Sequence, residues 1–332
     1  MRHLPPMPTV HKLFWMALLG VQIAGGARAA VQVLNEDAYF PEGPVWYHGK
    51  LYYVEYGRNA VMTWDGKKNA VFSAEKGCGQ SAVAPTPSGE FVTTCYDNGS
   101  IGRMSADGTV LPAYTHDKDG NTFLGPNDLA PDAHGGIYFT ASGHLGPVID
   151  GKVFYIAADG SGRHGSGRHG NGRHGNGRRA VITQVAVDLH NANGLAVSSD
   201  GKILYVVETE EHRLLQFKIA ADGSLSDRRV FVNLDDLTQH VAPIWPDGVK
   251  VSSKGDLYIG QSPRDLHMPL LGQIFVLDRS GKLKRTLTLP SSKVPNLAFS
   301  PDEKTIYVTA VDQIDKPPYH GKVYSIENDP SP

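Results

Sequence analysis

Beyond position 30, apolar residues fall in short runs rich in Tyr, Val and Ile, each bounded by Gly, Asp, Asn, Ser or Pro. Leu51-Tyr-Tyr-Val, Ile137-Tyr-Phe-Thr, Ile203-Leu-Tyr-Val and Leu257-Tyr-Ile-Gly are examples. Aromatic and β-branched side chains suit a pleated, half-buried surface, so these runs predict strands. No stretch reads as a long amphipathic helix. Between the runs stand Trp64-Asp-Gly, Ala106-Asp-Gly, Ala158-Asp-Gly, Ser199-Asp-Gly, Ala221-Asp-Gly and Arg279-Ser-Gly. In such turns Gly accepts a positive φ and Asp bonds its own backbone, so the runs pair as antiparallel hairpins.

The runs repeat as a unit. Glu42-Gly-Pro-Val-Trp, Asn127-Asp-Leu-Ala-Pro, Asn193-Gly-Leu-Ala-Val and Asp247-Gly-Val-Lys-Val each lead through a Gly-bearing turn into a strand, and weaker copies start near Gln80-Ser-Ala-Val and Pro295-Asn-Leu-Ala-Phe. Six copies of roughly 40–55 residues, built of short strands, predict an all-β, six-bladed β-propeller with four-stranded antiparallel blades. In the fourth copy the strands read Leu195–Val197, Ile203–Glu208, Leu214–Ile219 and Arg229–Val232; the third carries outer strands Val153–Ala157 and Ala180–Val187. The sixth ends after Thr305–Ala310 and Lys322–Ile326, one strand short. An open edge invites mispairing, so Val31-Gln-Val-Leu34 is expected to close the ring as the outer strand of the last blade.

In a propeller the innermost strands run the same way along the channel, so residues at their starts share one rim. Singly, Asn193-Gly and Asp247-Gly are turn dipeptides and Glu42-Gly-Pro a solvated loop. Together, Glu42, Asn127, Asn193 and Asp247 gather two carboxylates and two amides, a hard oxygen-only set that suits Ca²⁺, with Zn²⁺, Mn²⁺ or Mg²⁺ as alternatives. Such an ion polarises a carbonyl or phosphoryl oxygen and points to hydrolysis. Asp247 is the candidate general base. The chain carries no nucleophile elbow, zinc-protease helix motif, phosphate loop or dinucleotide fingerprint.

Formal charge is −2, which argues against nucleic acid or an anionic membrane as partner. Arg2, His3, His11 and Lys12 precede an apolar run, Leu13 to Ile23, and Ala27-Arg28-Ala29 forms a cleavage pattern. Residues 1–29 therefore read as a signal peptide of an exported protein, periplasmic or secreted, with residues 30–332 as a single propeller and no membrane span. Cys78 and Cys95 flank a hairpin turning at Pro85–Gly89 and are expected to form a disulfide. Residues 160–178 are a five-residue tandem repeat of Gly, Arg and His, read as a disordered outer loop; His164, His169 and His174 offer loose metal chelation at most.

Glu42-Gly-Pro-Val-Trp, Gly125-Pro-Asn-Asp-Leu, Asn193-Gly-Leu-Ala-Val with Leu204-Tyr-Val-Val-Glu-Thr, and Pro246-Asp-Gly-Val resemble the SMP-30/gluconolactonase/luciferin-regenerating-enzyme-like family of six-bladed calcium propellers. The resemblance implies a divalent ion on the residues matching Glu42, Asn193 and Asp247, with the residue matching Asn127 beside it as ligand or substrate contact. It implies lactone hydrolysis, related propellers acting on aryl esters or organophosphates. One departure is Gly125, where animal gluconolactonases carry an arginine. The loops Ala141–Asp150 and Ser262–Gly272 are particular to this chain and, over the mouth, would make the pocket more apolar than an aldonolactone needs. Gln80, His144 and Arg264 are candidate substrate contacts. The expected partner is a small lactone or ester, the expected state a monomer. The competing readings are a non-catalytic propeller with a structural ion and a metal-free propeller of the strictosidine-synthase type.

Overall fold

The computed structural model describes residues 31–158, 180–237, 244–263, 271–313 and 316–328. The expected leader, the Gly/Arg/His repeat and Arg264 lie outside the described residues. Within them, twenty-four strands form six four-stranded antiparallel sheets, the blades of a six-bladed propeller. Blade 1 runs outward from Pro41–Tyr47 through Lys50–Glu55 and Ala60–Trp64 to Asn69–Ala74. The innermost strands of blades 2 to 6 are Gln80–Pro85, Pro126–Pro131, Ala192–Val197, Ile244–Val251 and Lys293–Phe299. Each touches the next, and Lys293–Phe299 touches Pro41–Tyr47, which closes the ring.

The closing strand is the one expected from the sequence, and it is longer. Val31–Tyr39 pairs antiparallel with His320–Glu327, in register Val31 to Ile326 and Val33 to Tyr324, and continues to Tyr39 opposite His320. The fourth blade is Ala192–Val197, Ile203–Glu208, Arg213–Ile219 and Leu225–Asn233; the outer strands of the third are Gly151–Ile156 and Ile182–Leu189. In the turns Gly66, Gly108, Gly201, Gly223 and Gly281 take positive φ. Asp65, Asp107, Asp200 and Asp222 accept bonds from backbone N–H groups two residues on. Helical structure among the described residues is limited to two short 3₁₀ turns, Tyr56–Arg58 and Leu234–Leu237, and no helix there is long and apolar enough to cross a membrane.

The core is distributed between blades. One apolar cluster fills each of the six gaps, such as Leu195, Leu204 and Phe217 of blade 4 against Tyr138 and Val153 of blade 3. Burial of each such side chain contributes about 1.5–3 kcal/mol, so the blades stabilise one another face to face. The sulfurs of Cys78 and Cys95 are bonded, with Cα atoms 4.5 Å apart. This bond also explains why Glu75, Cys78 and Cys95, close enough together to suggest a metal cluster, do not form one. Replacing both cysteines by serine should destabilise the protein by about 2–4 kcal/mol, read as a lowered denaturant midpoint. An unchanged midpoint would mean that the inter-blade packing alone holds this hairpin.

Candidate metal centre in the propeller channel

All six innermost strands break register at the same level of the channel: between Glu42 and Val45, Gln80 and Ala82, Pro126 and Leu129, Ala192 and Leu195, Pro246 and Val249, and Lys293 and Asn296. A bulge bends a strand and re-aims its side chains. Here the bulges turn Glu42, Ser81, Asn127, Asn193 and Asp247 into one cavity of about 370 Å³ at the channel mouth. Glycines bring the strands close enough to meet. A Cβ on Gly194 would lie 2.3 Å from the Asp247 carbonyl oxygen, and one on Gly43 would lie 2.3 Å from Ala82 Cα. Threonines of the preceding blades hold the backbone: Thr94 donates to the Asn127 carbonyl at 2.6 Å, Thr140 to that of Asn193 at 2.7 Å, and Thr209 to that of Pro246 at 2.8 Å.

The electrostatics of this floor are unbalanced. Glu42 is 6% exposed, accepts a bond from the Gly43 N–H at 2.5 Å, and has its pKa raised well above the usual carboxylate range. Burial is the main cause, followed by repulsion from Asp247 and Asp128. Asp247 is pushed up to about 7, again chiefly by burial, with Lys293 opposing and Asp128 reinforcing the rise. The buried Asn193 Oδ1 has no hydrogen-bond partner. Two repelling buried carboxylates beside an orphaned amide oxygen are what a hard cation would satisfy. Glu42, Asn127, Asn193 and Asp247 therefore fit a divalent ion, with the cavity side left for water and a ligand.

Beneath them lies a second layer that sequence reasoning missed. Asp128, 2% exposed, accepts bonds from Lys250 Nζ at 3.2 Å and Asn296 Nδ2 at 3.3 Å. Asp128 and Asn296 also accept bonds from the N–H groups of Leu129 and Leu297, at 2.8 and 2.9 Å, so they hold equivalent places in blades 3 and 6 and meet across the channel. The signal was present as the polar residue that follows the floor position in two copies, Asp128 after Asn127 and Asn296 after Pro295.

Of the expected substrate contacts, Gln80 is buried within its blade, and its neighbour Ser81 lines the cavity instead. His144 points away, its Nδ1 paired with Asp150 at 2.7 Å, while Ser142 and Leu145 of the same loop line the cavity. Ser262 represents the second loop. The apolar walls come mainly from Phe40, Tyr56, Tyr96, Trp245 and Tyr319, none of which the sequence reading selected. Phe40 packs tilted against Tyr56, with ring centroids 5.6 Å apart, and edge-to-face against Tyr319 at 6.0 Å. Lys293 also lines the cavity; burial lowers its pKa and Asp247 opposes the fall.

A closed ring of six blades with a polar, bulge-built channel mouth defines a class of propeller, and this chain belongs to a known one. Residues 40–312 match the SMP-30/Gluconolactonase/LRE-like region, so the protein is a member of that family. A gluconolactonase from Xanthomonas campestris shares the fold, with a TM-score of 0.69 and 21% identity over 90% of this chain and 89% of that one. The calcium-binding protein regucalcin from Agrobacterium tumefaciens strain C58 has a TM-score of 0.68 and 18% identity, covering 90% of this chain and 94% of its own. The lactonase drp35 of Staphylococcus haemolyticus is 25% identical over 195 residues, 57% of this chain and 50% of that protein.

The raised carboxylates set a pH dependence. A carboxylate with a raised folded-state pKa binds a proton that the unfolded chain has released, so its effect is to lower stability as pH climbs from the unfolded value to the folded one. In chelator, the melting temperature should fall as pH climbs from about 4 to about 7. Glu55, also pushed up to about 7 by burial, contributes equally with and without metal. The stabilisation by added Ca²⁺ should therefore grow with pH over that window, as measured by paired thermal melts. A calcium effect that is flat with pH would remove Glu42 and Asp247 from the ion's shell.

Proposed function

We propose that this protein is a Ca²⁺-dependent hydrolase that opens a lactone or a related carboxylic ester. The observation carrying this reading is the repelling Glu42–Asp247 pair, beside the unpartnered Asn193 Oδ1, on the floor of an open cavity. The gluconolactonase and lactonase names of its relatives support it. Glu42, Asn127, Asn193 and Asp247 hold the ion. When bound, a divalent ion polarises an acyl oxygen and offsets the charge that develops there.

Asp247 is the general base. Its carboxylate lines the cavity on the floor, where water entering the site could reach it. It accepts a proton from water as the water oxygen bonds to the acyl carbon. The ring C–O bond then breaks, and the proton passes to the departing alkoxide, which leaves a hydroxy acid. Thr94, Thr140 and Thr209 keep the floor in place during these steps through their backbone bonds. The bonded Cys78–Cys95 pair suits an exported, oxidising compartment.

The test is a panel of lactones, aryl esters and phosphotriesters with and without chelator. Hydrolysis should vanish in chelator and return with Ca²⁺. Asp247→Asn, at saturating metal, should lower kcat by about 10²–10⁴-fold while metal affinity falls far less. A fully active Asp247→Asn would remove the base role and leave Asp247 a ligand only. No turnover across the panel, with ion bound, would instead make the protein a ligand-binding propeller.

A further inference from the structure

Two residues before each metal-floor position, the six blades present a second ring: Phe40, Gly79, Gly125, Asn191, Trp245 and Lys293. The four that carry side chains all line the cavity. The two glycines leave gaps that are already filled. A Cβ on Gly79 would meet the Asp97 carboxyl at 2.5 Å, and one on Gly125 would meet the Tyr96 ring at 3.0 Å. Blades 3 and 6 face one another in a six-membered ring, so Lys293 stands across the cavity from the Tyr96 ring over Gly125.

Lys293 is half-buried, and among the described residues its Nζ makes no hydrogen bond or ion pair. The recorded contact of its Nζ is with the face of Trp245, 5.7 Å from the ring centroid. Asp247 attracts it only from beyond ion-pair distance. Lys250, by contrast, is matched by Asp128 at 3.2 Å. A half-buried ammonium without a partner is unfavourable. A divalent ion on Glu42 and Asp247 makes the position worse, because it takes up the negative charge that attracts the lysine. Among the described residues lining the loaded mouth, Lys293 then carries a positive charge without a close partner, and the mouth also holds the rings of Phe40, Tyr56 and Tyr96, with the Asp97 carboxyl held by the Tyr56 hydroxyl.

We propose, building on the hydrolase reading, that the substrate is an anion: a lactone or ester with a carboxylate on an aromatic or similarly apolar body. Lys293 receives the carboxylate and the aromatic wall receives the body. A polyhydroxylated neutral lactone would leave both features unused.

The experiment uses the Ca²⁺-loaded full chain and titrates benzoate and its neutral counterpart benzyl alcohol by calorimetry. Benzoate should bind more tightly by about 10-fold or more, the value of one charge-assisted contact. Lys293→Met should abolish the preference, and Lys293→Arg should keep most of it. Equal binding of the two probes overturns the proposal. So does a benzoate preference that survives Lys293→Met, since the ion would then hold the carboxylate. With turnover as a second readout, 4-acetoxybenzoate and 4-acetoxybenzyl alcohol are compared. Lys293→Met should lower the anionic-to-neutral ratio of kcat/KM by about 10-fold, through KM. An equal fall in kcat for both substrates would place Lys293 at the reacting carbonyl and overturn the proposal. Absence of turnover with the benzoate preference intact would sink the hydrolase reading alone.

Discussion

The mutual repulsion of Glu42, Asp247 and Asp128 is the constraint around which the channel is built. Burial and the neighbouring charges of Asp247 and Asp128 raise the proton affinity of Glu42, Asp128 adds to the rise at Asp247, and the repulsion favours separation of the blades that carry them. The fold resists this in three ways. Inter-blade apolar clusters fill all six gaps, so no blade moves without exposing its neighbour's core. The strand Val31–Tyr39 closes the last blade with the first segment of the folded chain. Threonines from neighbouring blades fix the carbonyls of the floor residues. What remains unsatisfied after all three is charge, and charge is what a cation supplies.

The same constraint explains why glycine follows three of the floor residues. Gly43, Gly194 and Gly248 stand where any side chain would strike a neighbouring innermost strand or Asn296. In blades 3 and 6 that level holds Asp128 and Asn296, which cross the channel to each other and divide it. Above this partition is the cavity with the candidate metal centre; below it is a second opening of about 290 Å³, with Lys250 on its wall. Lys250 therefore neutralises Asp128 from the far side, and the upper carboxylates lack an equivalent short-range partner.

Much of this was legible in the sequence because a propeller converts register into position. Glu42, Asn127, Asn193 and Asp247 begin matching copies, and the fold carries matching positions to one rim, so pattern alone brought them together. What escaped was whatever the repeat does not encode. Tyr56 and Tyr96 follow the second strands of their blades, and Tyr319 lies in a loop of the sixth; their approach to the mouth depends on loop path. Lys293 was hidden because it precedes the sixth copy, whose floor position is Pro295 and offers no polar side chain to mark the rim. Gln80 starts a weaker copy and His144 belongs to a loop expected over the mouth; the register shift after Gln80 puts Ser81 in the cavity lining, and His144 pairs with Asp150.

Gly125 shows how one position redirects a site. Its φ is +60°, a conformation that suits glycine and strains a larger residue. The Tyr96 ring lies 3.0 Å from where a Cβ would stand, so a side chain at this place would need a strained backbone and a small shift of the ring. The wall of blade 3 is thereby apolar, and the cation of the rim stands on blade 6 instead. The mouth thus offers aromatic carbon from Phe40, Tyr56, Tyr96, Trp245 and Tyr319, and the Lys293 ammonium over Trp245, above the polar floor. Those side chains belong in part to the second ring and leave the floor unchanged, so the polar floor and the character of the mouth are set by separate positions, two residues apart, on the same innermost strands.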